Sequence, residues 1–394
     1  MSVDWDNIRK TQFPALEKFT YLITAGSAPI SRSAYEGGVE YFNRMLNYGD
    51  VDHELFFLDI NEPRKIIAEY LNTNHENIAF MINTSSGLAT IAHTLTHQKG
   101  GILYPSIEFP ASVHLFKRLG FPTTRIESTN YSFPAENFKK GITENTKYCI
   151  QSHVQSFNGF RQNLEKFGKF CEEYNLINII NATQSFGAFE IDVKKDNIDF
   201  LVSSGLKNIA CGWGIGILYI HEDFVDENIP FTSWLSVEDP FSMDNDNLRI
   251  YKKAFAMDSF GGCPNFAALL ALKGGLELVH NVIGRGSIRT GIKEIQNRVI
   301  SLTDQFFPEL QDLNFKIITS LEKEYRSGII TVEHEKAKKI YRELIKNNIY
   351  ITLKRYPHNK KETLLRFAIN YYNNMDDLTK TIDILKKVLK KVNQ

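Results

Sequence analysis

Short runs of β-branched and other apolar residues recur through the middle of the chain, separated by longer stretches with a helical pattern. Apolar runs of about four to eight residues are typical of buried strands, and strands that alternate with helices predict βαβ units and a mostly parallel sheet. Because ligands bind such sheets at the carboxyl ends of the strands, we expect functional side chains just after these runs. The predicted strands are 78–82, 101–105, 123–127, 147–151, 177–181, 199–204 and 214–220, with helices at 88–97, 111–120 and 163–175.

The last third of the chain has a different pattern, which begins with a long polar helix. We predict a large α/β domain at 31–284, a small α+β domain at 285–394, and an N-terminal segment, 1–30, that packs between them. The final helix repeats apolar residues every three or four positions and has a lysine-rich opposite side, which is typical of a solvated face. The predicted helices of the small domain are 288–311, 336–348 and the final helix, whose apolar positions are Leu378, Ile382, Leu385 and Leu389. The predicted strands of the small domain are 315–320, 328–333, 350–354 and 364–369.

Composition narrows the class of protein. The chain has 394 residues, 43% of them hydrophobic and 23% charged, which is the balance of a soluble globular protein with a sizeable core. Lys plus Arg and Asp plus Glu are 46 each, so the net charge is zero and a nucleic-acid partner is not expected. No apolar run approaches the ~20 residues of a membrane helix, and the N-terminal residues lack the apolar region of a signal peptide.

The cysteines are widely spaced along the chain, at Cys149, Cys171, Cys211 and Cys263. They form no CxxC pair and no spacing typical of metal ligands, so we expect neither a disulfide scaffold nor a metal site. A reducing compartment fits this pattern best, and we therefore expect a cytoplasmic protein.

A lysine follows the predicted strand 199–204 in an unusual setting. Lys207 is flanked by small and apolar residues in SSGLKNIACGWGIG, whereas most lysines are surface charges. A lysine held in an apolar pocket can have a depressed pKa and form a Schiff base with an aldehyde. Lys207 is therefore a candidate nucleophile, and an ordinary surface charge is the alternative.

Polar residues also follow two other predicted strands. Ser85 and Ser86 lie in the sequence NTSSG, where strand 78–82 turns into a helix, and the free N–H groups of such a turn can bind an anion. A serine that caps the helix is the alternative. Asn181 and Gln184 lie at the end of a later strand, where they either point into a cleft or cap a turn.

In their order along the chain, these segments resemble the class V aminotransferase family of fold-type I pyridoxal-phosphate (PLP) enzymes. The resemblance covers nearly the whole chain and is nearest to the selenocysteine lyase, cysteine desulfurase and isopenicillin N epimerase-like branch. It implies a seven-stranded, mostly parallel sheet flanked by helices, a small C-terminal α+β domain, and PLP held between the domains at the interface of a homodimer. The segments that carry it are SHVQSFNGFRQNLEKFGKFCEEYN (152–175), NATQSFGAFEIDVKKDNIDFLVSSGLKNIACGWGIGILYI (181–220) and SFGGCPNFAALLALKGGLELV (259–279).

The resemblance implies a role for each residue around the cofactor. Lys207 matches the Schiff-base lysine, which also moves the substrate α-proton as an acid and base. Ser85 and Ser86 match the phosphate cup at a helix N-terminus, and Ser204 matches a further hydroxyl that binds the phosphate. Gln184 matches the side chain that donates to the phenolic oxygen of the cofactor.

Other matched positions concern the cofactor ring, the substrate and a second subunit. Phe109 takes the place of the aromatic residue that stacks on the pyridine ring, where desulfurases carry histidine. Arg366 matches the arginine that binds the substrate α-carboxylate. Cys263 stands where the family usually has a threonine that reaches the phosphate of the neighbouring subunit, which implies a homodimer with shared sites. His153 follows the strand 147–151. It either faces the cleft, where it would touch the substrate, or points away from the cleft.

The sequence departs from the family at three places. Asn181 replaces the aspartate that keeps the pyridine nitrogen protonated, so the cofactor is expected to be a weaker electron sink. Leu206 replaces a histidine. The segment 347–367 lacks the mobile cysteine on which desulfurases form a persulfide, so a persulfide relay is not expected, whereas simple C–S lyase chemistry needs no such cysteine.

Two classes of function follow from this pattern. The first is a PLP-dependent enzyme that acts through Lys207 at the α-carbon of a small amino acid, and aminotransferase, C–S or C–Se lyase and epimerase all remain open. The second is a cofactor-binding but catalytically weak homologue that acts as a partner or regulatory subunit. Asn181, Leu206 and Cys263 favour the second class, whereas the intact Lys207, Arg366 and phosphate loop favour the first.

Overall fold

The computed structural model describes residues 2–51, 53–226, 229–357 and 359–392. Its α-helices are α1 (Trp5–Gln12), α2 (Arg32–Tyr48), α3 (His53–Asp59), α4 (Asn61–Leu71), α5 (Thr84–Thr94), α6 (Ala111–Arg118), α7 (Ala135–Lys139), α8 (Leu164–Glu173), α9 (Phe266–Glu277), α10 (Ile288–Asp312), α11 (Ala337–Lys346) and α12 (Met375–Val392). Its strands are β1 (Thr20–Tyr21), β2 (Ile78–Met81), β3 (Gly101–Pro105), β4 (Thr123–Ile126), β5 (Thr146–Ser152), β6 (Ile177–Asn181), β7 (Phe200–Ser204), β8 (Gly216–Ile220), β9 (Lys316–Ile317), β10 (Ile329–Glu333), β11 (Ile349–Tyr350), β12 (Thr352–Lys354) and β13 (Leu364–Ala368).

The strands predicted in the middle of the chain form one sheet. Among the described residues it has seven strands in the order β2-β8-β7-β6-β5-β3-β4, and all are parallel except β8, which is antiparallel to both neighbours. Alternate residues enter two separate hydrophobic clusters: Phe200 and Val202 of β7 belong to one, and Leu201 belongs to the other. Both faces of β7 therefore pack against a hydrophobic core, as expected for a strand in a sheet that is buried on both faces. The predicted fold class is confirmed.

Helix α8, which flanks this sheet, begins at a side chain that satisfies a free N–H group of the first turn. Asn163 precedes α8 and accepts a hydrogen bond from the Lys166 N–H at 3.0 Å. The same helix then buries Leu164, Phe167 and Phe170 on one face. Capping and one-sided apolar spacing therefore explain why 163–175 could be assigned to a helix from the pattern alone.

The parallel register brings several strand ends to one edge of the sheet. Asn181 is the last residue of β6 and pairs with Val202 of β7, which itself ends two residues later at Ser204. Ser152 ends β5 and pairs with Asn181. Lys207 follows three residues after β7. Residues that are distant in sequence are therefore placed side by side at the carboxyl edge.

The C-terminal part of the chain builds a second, antiparallel sheet in the order β12-β13-β10-β9. Phe306 of α10 and Phe367 of β13 meet in its core with their ring centres 5.4 Å apart, and the four apolar positions predicted to form the inner face of α12 lie in the same core. Between these core residues, Arg366 of β13 pairs with Thr331 of β10 and Thr352 of β12. The sheet thus fixes the position of Arg366.

The N-terminal segment connects the two sheets. Thr20 and Tyr21 of β1 pair in parallel with β11, and Ile23 forms an isolated bridge to Ala368. A few residues later, the Ala28 N–H donates to the Leu206 carbonyl at 3.0 Å, next to Lys207. The segment therefore contacts both parts of the chain, while the exact domain boundaries stay a prediction.

One apolar stretch differs from the expectation that no run approaches the length of a membrane helix. Among the described residues, Phe266–Ile283 is long and apolar enough to cross a membrane by length and composition, with a mean hydropathy of 1.4. However, 61% of it is buried inside the protein, and core helices of soluble proteins meet the same criterion.

Candidate active site

A cavity of about 400 Å³ opens at the carboxyl edge of the large sheet. It lies where β6 and β7 end and where α5 begins. Its walls include six residues singled out from the sequence, which are Ser85, Phe109, Asn181, Gln184, Ser204 and Lys207. The structure therefore brings together residues that span more than a hundred positions of sequence.

Lys207 projects into this cavity from the turn after β7. Its side chain is 8% exposed, and its Nζ donates a hydrogen bond to the Ala25 carbonyl. Burial, and then the positive charges of Arg366 and Lys354, lower the pKa of Lys207 from 10.5 to about 7. A large fraction of this amine is therefore neutral and nucleophilic at neutral pH.

The phosphate side of the predicted site is formed by β7 and the N-terminus of α5. The Ser204 hydroxyl is buried and, within the described residues, has no hydrogen-bond partner, so it is available to a bound group. Ser85 also lines the cavity at the start of α5, where the helix dipole favours an anion. The Thr84 hydroxyl lies 2.8 Å from that of Thr183, and both of these threonines line the cavity.

Ser86 has a different role from the one expected. Asn83 caps α5 by accepting from the Ser86 N–H at 2.9 Å, and the Ser86 hydroxyl in turn accepts from the Asn83 N–H at 3.1 Å. This reciprocal pair is a capping box. The structure thus separates the two serines: Ser85 lines the cavity, whereas Ser86 stabilises the helix start and does not belong to the cavity wall.

The opposite side of the cavity is suited to an aromatic ring. Phe109 is half exposed and lies on the wall together with Asn181 and Gln184. The Gln184 Nε2 donates to the Ala25 carbonyl at 2.9 Å, so the same carbonyl holds both Gln184 and Lys207. Leu206, which replaces the expected histidine, adds an apolar contact to this wall.

Arg366 lies beside the cavity. Its Nη1 donates to the carbonyl and hydroxyl of Ser156 at 2.6 and 3.0 Å, and its Nη2 donates to the Thr352 hydroxyl at 3.3 Å. The Nε atom is buried and has no partner, and no carboxylate among the described residues pairs with this guanidinium. Burial lowers the pKa of Arg366 to about 10. Because Ser156 lines the cavity, Arg366 is placed to meet an anionic group that enters it.

Besides Ser86 and Arg366, two further predicted residues are absent from the cavity wall. His153 is buried against Phe189, with ring centres 6.2 Å apart, and burial followed by the charge of Arg161 lowers its pKa to about 3. It lies outside the cavity wall because neighbouring strand residues point in opposite directions and Ser152 takes the inner position. Cys263 is exposed and is also absent from the wall formed by this one chain.

A second lysine of lowered pKa, the half-buried Lys354, was not identified from the sequence. Lys354 lies two residues after Thr352 on β12, and its Nζ sits 5.4 Å from the centre of the Phe157 ring. Burial, and then the charge of Arg366, lower the pKa of Lys354 to about 7. The alternation of β12 could have suggested that Lys354 shares a face with Thr352, but only the sheet register shows that Thr352 lies opposite Arg366, which brings the charge of Arg366 close to Lys354.

These features fit the cofactor that the sequence resemblance implies. A buried lysine of lowered pKa suits its aldehyde, an unpartnered buried hydroxyl and a helix N-terminus suit its phosphate, and Phe109 offers an aromatic face to its ring. The donor set therefore matches PLP.

Comparison with known proteins gives the same result. The model of the aminotransferase class-V family matches residues 20–380. A probable cysteine desulfurase of Borreliella burgdorferi is 26% identical over 97% of this chain and 96% of its own length. The solved apo structure of a cysteine desulfurase from Thermococcus onnurineus NA1 superposes with a TM-score of 0.85 at 21% identity, over 99% of both chains. The complex of the cystine C–S lyase C-DES with cysteine persulfide has a TM-score of 0.81 at 18% identity, over 95% of this chain and 99% of that one.

Proposed function

The chain belongs to the aminotransferase class-V family, and on that premise we propose that this PLP-dependent enzyme is a C–S lyase. Its substrate is a small α-amino acid with sulfur on the β-carbon, such as cysteine or cystine. The carrying observation is a cavity whose wall, as formed by one chain, includes a lysine of lowered pKa and no cysteine: Cys149, Cys171 and Cys211 are buried and absent from this wall, and Cys263 is exposed.

The lack of a nearby thiol decides between two outcomes for sulfur. A desulfurase that passes sulfur to its own cysteine needs one beside the substrate, and the segment 347–367 contains none. We therefore propose that sulfur leaves with the substrate fragment. With cystine the Cβ–S bond breaks, one water is taken up, and pyruvate, ammonia and cysteine persulfide form. With cysteine the third product is hydrogen sulfide, and both reactions balance without an external oxidant or reductant.

The residues of the chain divide this work between them. Bound PLP supplies the electron-withdrawing group that makes the α-proton of the substrate acidic. Lys207 holds the cofactor. It also moves the α-proton, because an amine with a pKa of about 7 can both accept and release a proton at physiological pH. Arg366 binds the α-carboxylate through a guanidinium that has no carboxylate partner among the described residues. Ser85 and Ser204 hold the phosphate.

The reaction is tested by product analysis with purified protein and added PLP. We expect cystine or cysteine to give pyruvate, measured with lactate dehydrogenase, together with persulfide or sulfide. Lys207→Ala should abolish this activity, while Lys169→Ala, at an exposed lysine of α8, should retain it. Alanine in place of pyruvate would show a desulfurase, a keto acid with retained sulfur would show an aminotransferase, and α-hydrogen exchange alone would show an epimerase. Each of these results would overturn the lyase proposal.

The attachment of the cofactor can be tested separately. Borohydride reduction followed by peptide mapping should place the label on Lys207, and a label scattered over surface lysines would contradict that assignment. The alternative of a catalytically weak partner or regulatory subunit is disfavoured because the full-length relative is named as an enzyme and the site residues are in place.

We also propose that the enzyme is a homodimer. Large apolar side chains are exposed on α2 and at the opening of the cavity: Phe42 is 62%, Leu46 82% and Trp213 74% exposed. A second copy would cover this surface and bring its Cys263 towards the phosphate side of the cavity. A cytoplasmic location is part of the same proposal, since all four cysteines are free thiols.

A further inference from the structure

A buried carboxylate lies next to the cavity and has no part in the roles described so far. Glu108 is 9% exposed and immediately precedes Phe109. One of its oxygens accepts from the Phe109 N–H at 2.9 Å and from the hydroxyls of Ser112 and Ser152 at 2.8 and 2.6 Å. The other accepts from the Ser152 N–H and the Gln155 Nε2, both at 2.7 Å. Five donors converge on this one side chain.

The donors around Glu108 are neutral. No lysine, arginine or histidine among the described residues forms an ion pair with Glu108, although a buried carboxylate without one is costly. Three of the five donors are N–H groups, which can only donate. The surroundings are therefore built to hold a carboxylate at this position without neutralising its charge.

Ser112 links this carboxylate to Asn181. The Ser112 hydroxyl is fully buried and gives its only proton to Glu108, so it can only accept from the Asn181 Nδ2, which lies at 3.0 Å. On the other side of the amide, the Asn181 Oδ1 accepts from the Thr183 N–H at 3.1 Å. The two contacts require the same orientation of the amide, which is therefore fixed by chemistry.

The chain of hydrogen bonds also changes the electrostatics of Asn181. A hydroxyl that donates to a carboxylate becomes a stronger acceptor, and an amide that donates to that hydroxyl gains negative charge on its own oxygen. Asn181 lies on the cavity wall, at the position where the family resemblance leads us to expect an aspartate. The negative charge absent from residue 181 is thus present two hydrogen bonds away.

We propose that Glu108 acts through Ser112 and Asn181 to supply the negative charge that keeps the ring nitrogen of bound PLP protonated. Glu108 and Ser112 are positioning residues, since neither is on the wall of the cavity. The weak electron sink expected from Asn181 alone is then compensated. This inference rests on the cofactor site and does not depend on which reaction the enzyme catalyses.

The test uses PLP labelled with ¹⁵N in the ring, bound to the intact protein, because the ¹⁵N chemical shift reports whether the ring nitrogen carries a proton. Spectra are recorded at a pH where free PLP has lost that proton. We expect the wild-type signal in the protonated range. Glu108→Gln removes the negative charge, and Ser112→Ala removes the hydroxyl that joins Glu108 to Asn181. Both variants should move the signal to the unprotonated range. The dissociation constant for PLP should rise roughly tenfold in each variant.

Rescue and control variants separate this role from a structural one. Asn181→Asp places a carboxylate directly at the site, so the double variant Glu108→Gln with Asn181→Asp should regain the protonated signal. Ser185→Ala removes another fully buried hydroxyl, which donates to the Ala182 carbonyl at 3.2 Å, and should leave the signal unchanged. If Glu108→Gln does not fold, Ser112→Ala answers the same question, since the other four hydrogen bonds of Glu108 remain.

Three results would overturn the inference. They are a wild-type signal in the unprotonated range, a protonated signal that persists in both Glu108→Gln and Ser112→Ala, and a shift in Ser185→Ala as large as that in Ser112→Ala. A failure of the lyase proposal is recognised independently, because it would appear as the wrong products from a protein that still gives the ¹⁵N signal of bound PLP.

Discussion

Replacing Lys207 with methionine should remove a pH-dependent part of the stability of the cofactor-free chain. In the folded chain, burial and then the charges of Arg366 and Lys354 lower the pKa of this lysine from 10.5 to about 7. Since Lys207 is only 8% exposed, little solvent screening reduces the effect. The difference in pKa corresponds to about 5 kcal/mol of destabilisation of the folded state when the amine is protonated.

The sign follows from proton binding. The folded pKa lies below that of the unfolded chain, so the unfolded chain binds more protons between pH 7 and pH 10.5. The destabilisation of the folded state by the protonated Lys207 amine is therefore at its full value below about pH 7, and it disappears as the pH rises through this window. Its contribution changes by about 1.4 kcal/mol per pH unit, which amounts to about 2 kcal/mol between about pH 7.5 and pH 9.

Urea unfolding of the two cofactor-free proteins at several pH values measures this effect. Titration of the tyrosines and cysteines contributes equally to both, so the difference between wild type and Lys207→Met reports Lys207 together with its charge interaction with Lys354. The stability of the wild type relative to the variant should rise with pH across the window. Lys169→Met controls for the removal of a positive charge at an exposed position. A difference that stays flat or falls with pH would refute the argument that Lys207 is held in a desolvated site.

Further predictions concern the substrate, the second subunit and the thiols. Arg366→Ala should raise the KM for the amino acid roughly 10- to 100-fold in steady-state kinetics, because the hydrogen-bonded charge pair between Arg366 and the substrate carboxylate is lost. Thr352→Val, the control, should change KM far less. An unchanged KM in Arg366→Ala would exclude a contact between Arg366 and the carboxylate. Leu46→Asp should convert a dimer to a monomer in sedimentation velocity, because it places a charge on an exposed apolar face, and a wild-type monomer would contradict the dimer proposal. Iodoacetamide should modify a cofactor-free monomeric variant once, at Cys263, since the other three cysteines are buried. Early modification of Cys211, detected by mass spectrometry, would contradict the packing around Lys207.

Local pattern was sufficient for most of the strands. Runs such as 177–181 and 199–204 have adjacent apolar residues in their interior, which is typical of a strand covered on both sides, and the structure has β6 and β7 there. The pattern assigned no element to 32–71, where the structure has α2, α3 and α4. These helices leave Phe42, Leu46 and other apolar residues exposed, so apolar positions occur on both faces and the one-sided spacing is blurred.

The sequence by itself determined which residues were candidates for the chemistry, because Lys207 and the polar residues follow predicted strands and the family resemblance implies a role for each, while a surface charge or a cap remained the alternative. Only the tertiary structure decided how they act. Strand alternation turned His153 away from the cavity, and the register of β12 and β13 placed Lys354 next to Arg366. The pKa of Lys207 depends first on its burial and then on the charge of Arg366, which is 159 residues away, and neither is recorded by a local pattern. The hydrogen bonds that join Glu108 to Asn181 likewise span residues that meet only when parallel strands end at one edge of a sheet.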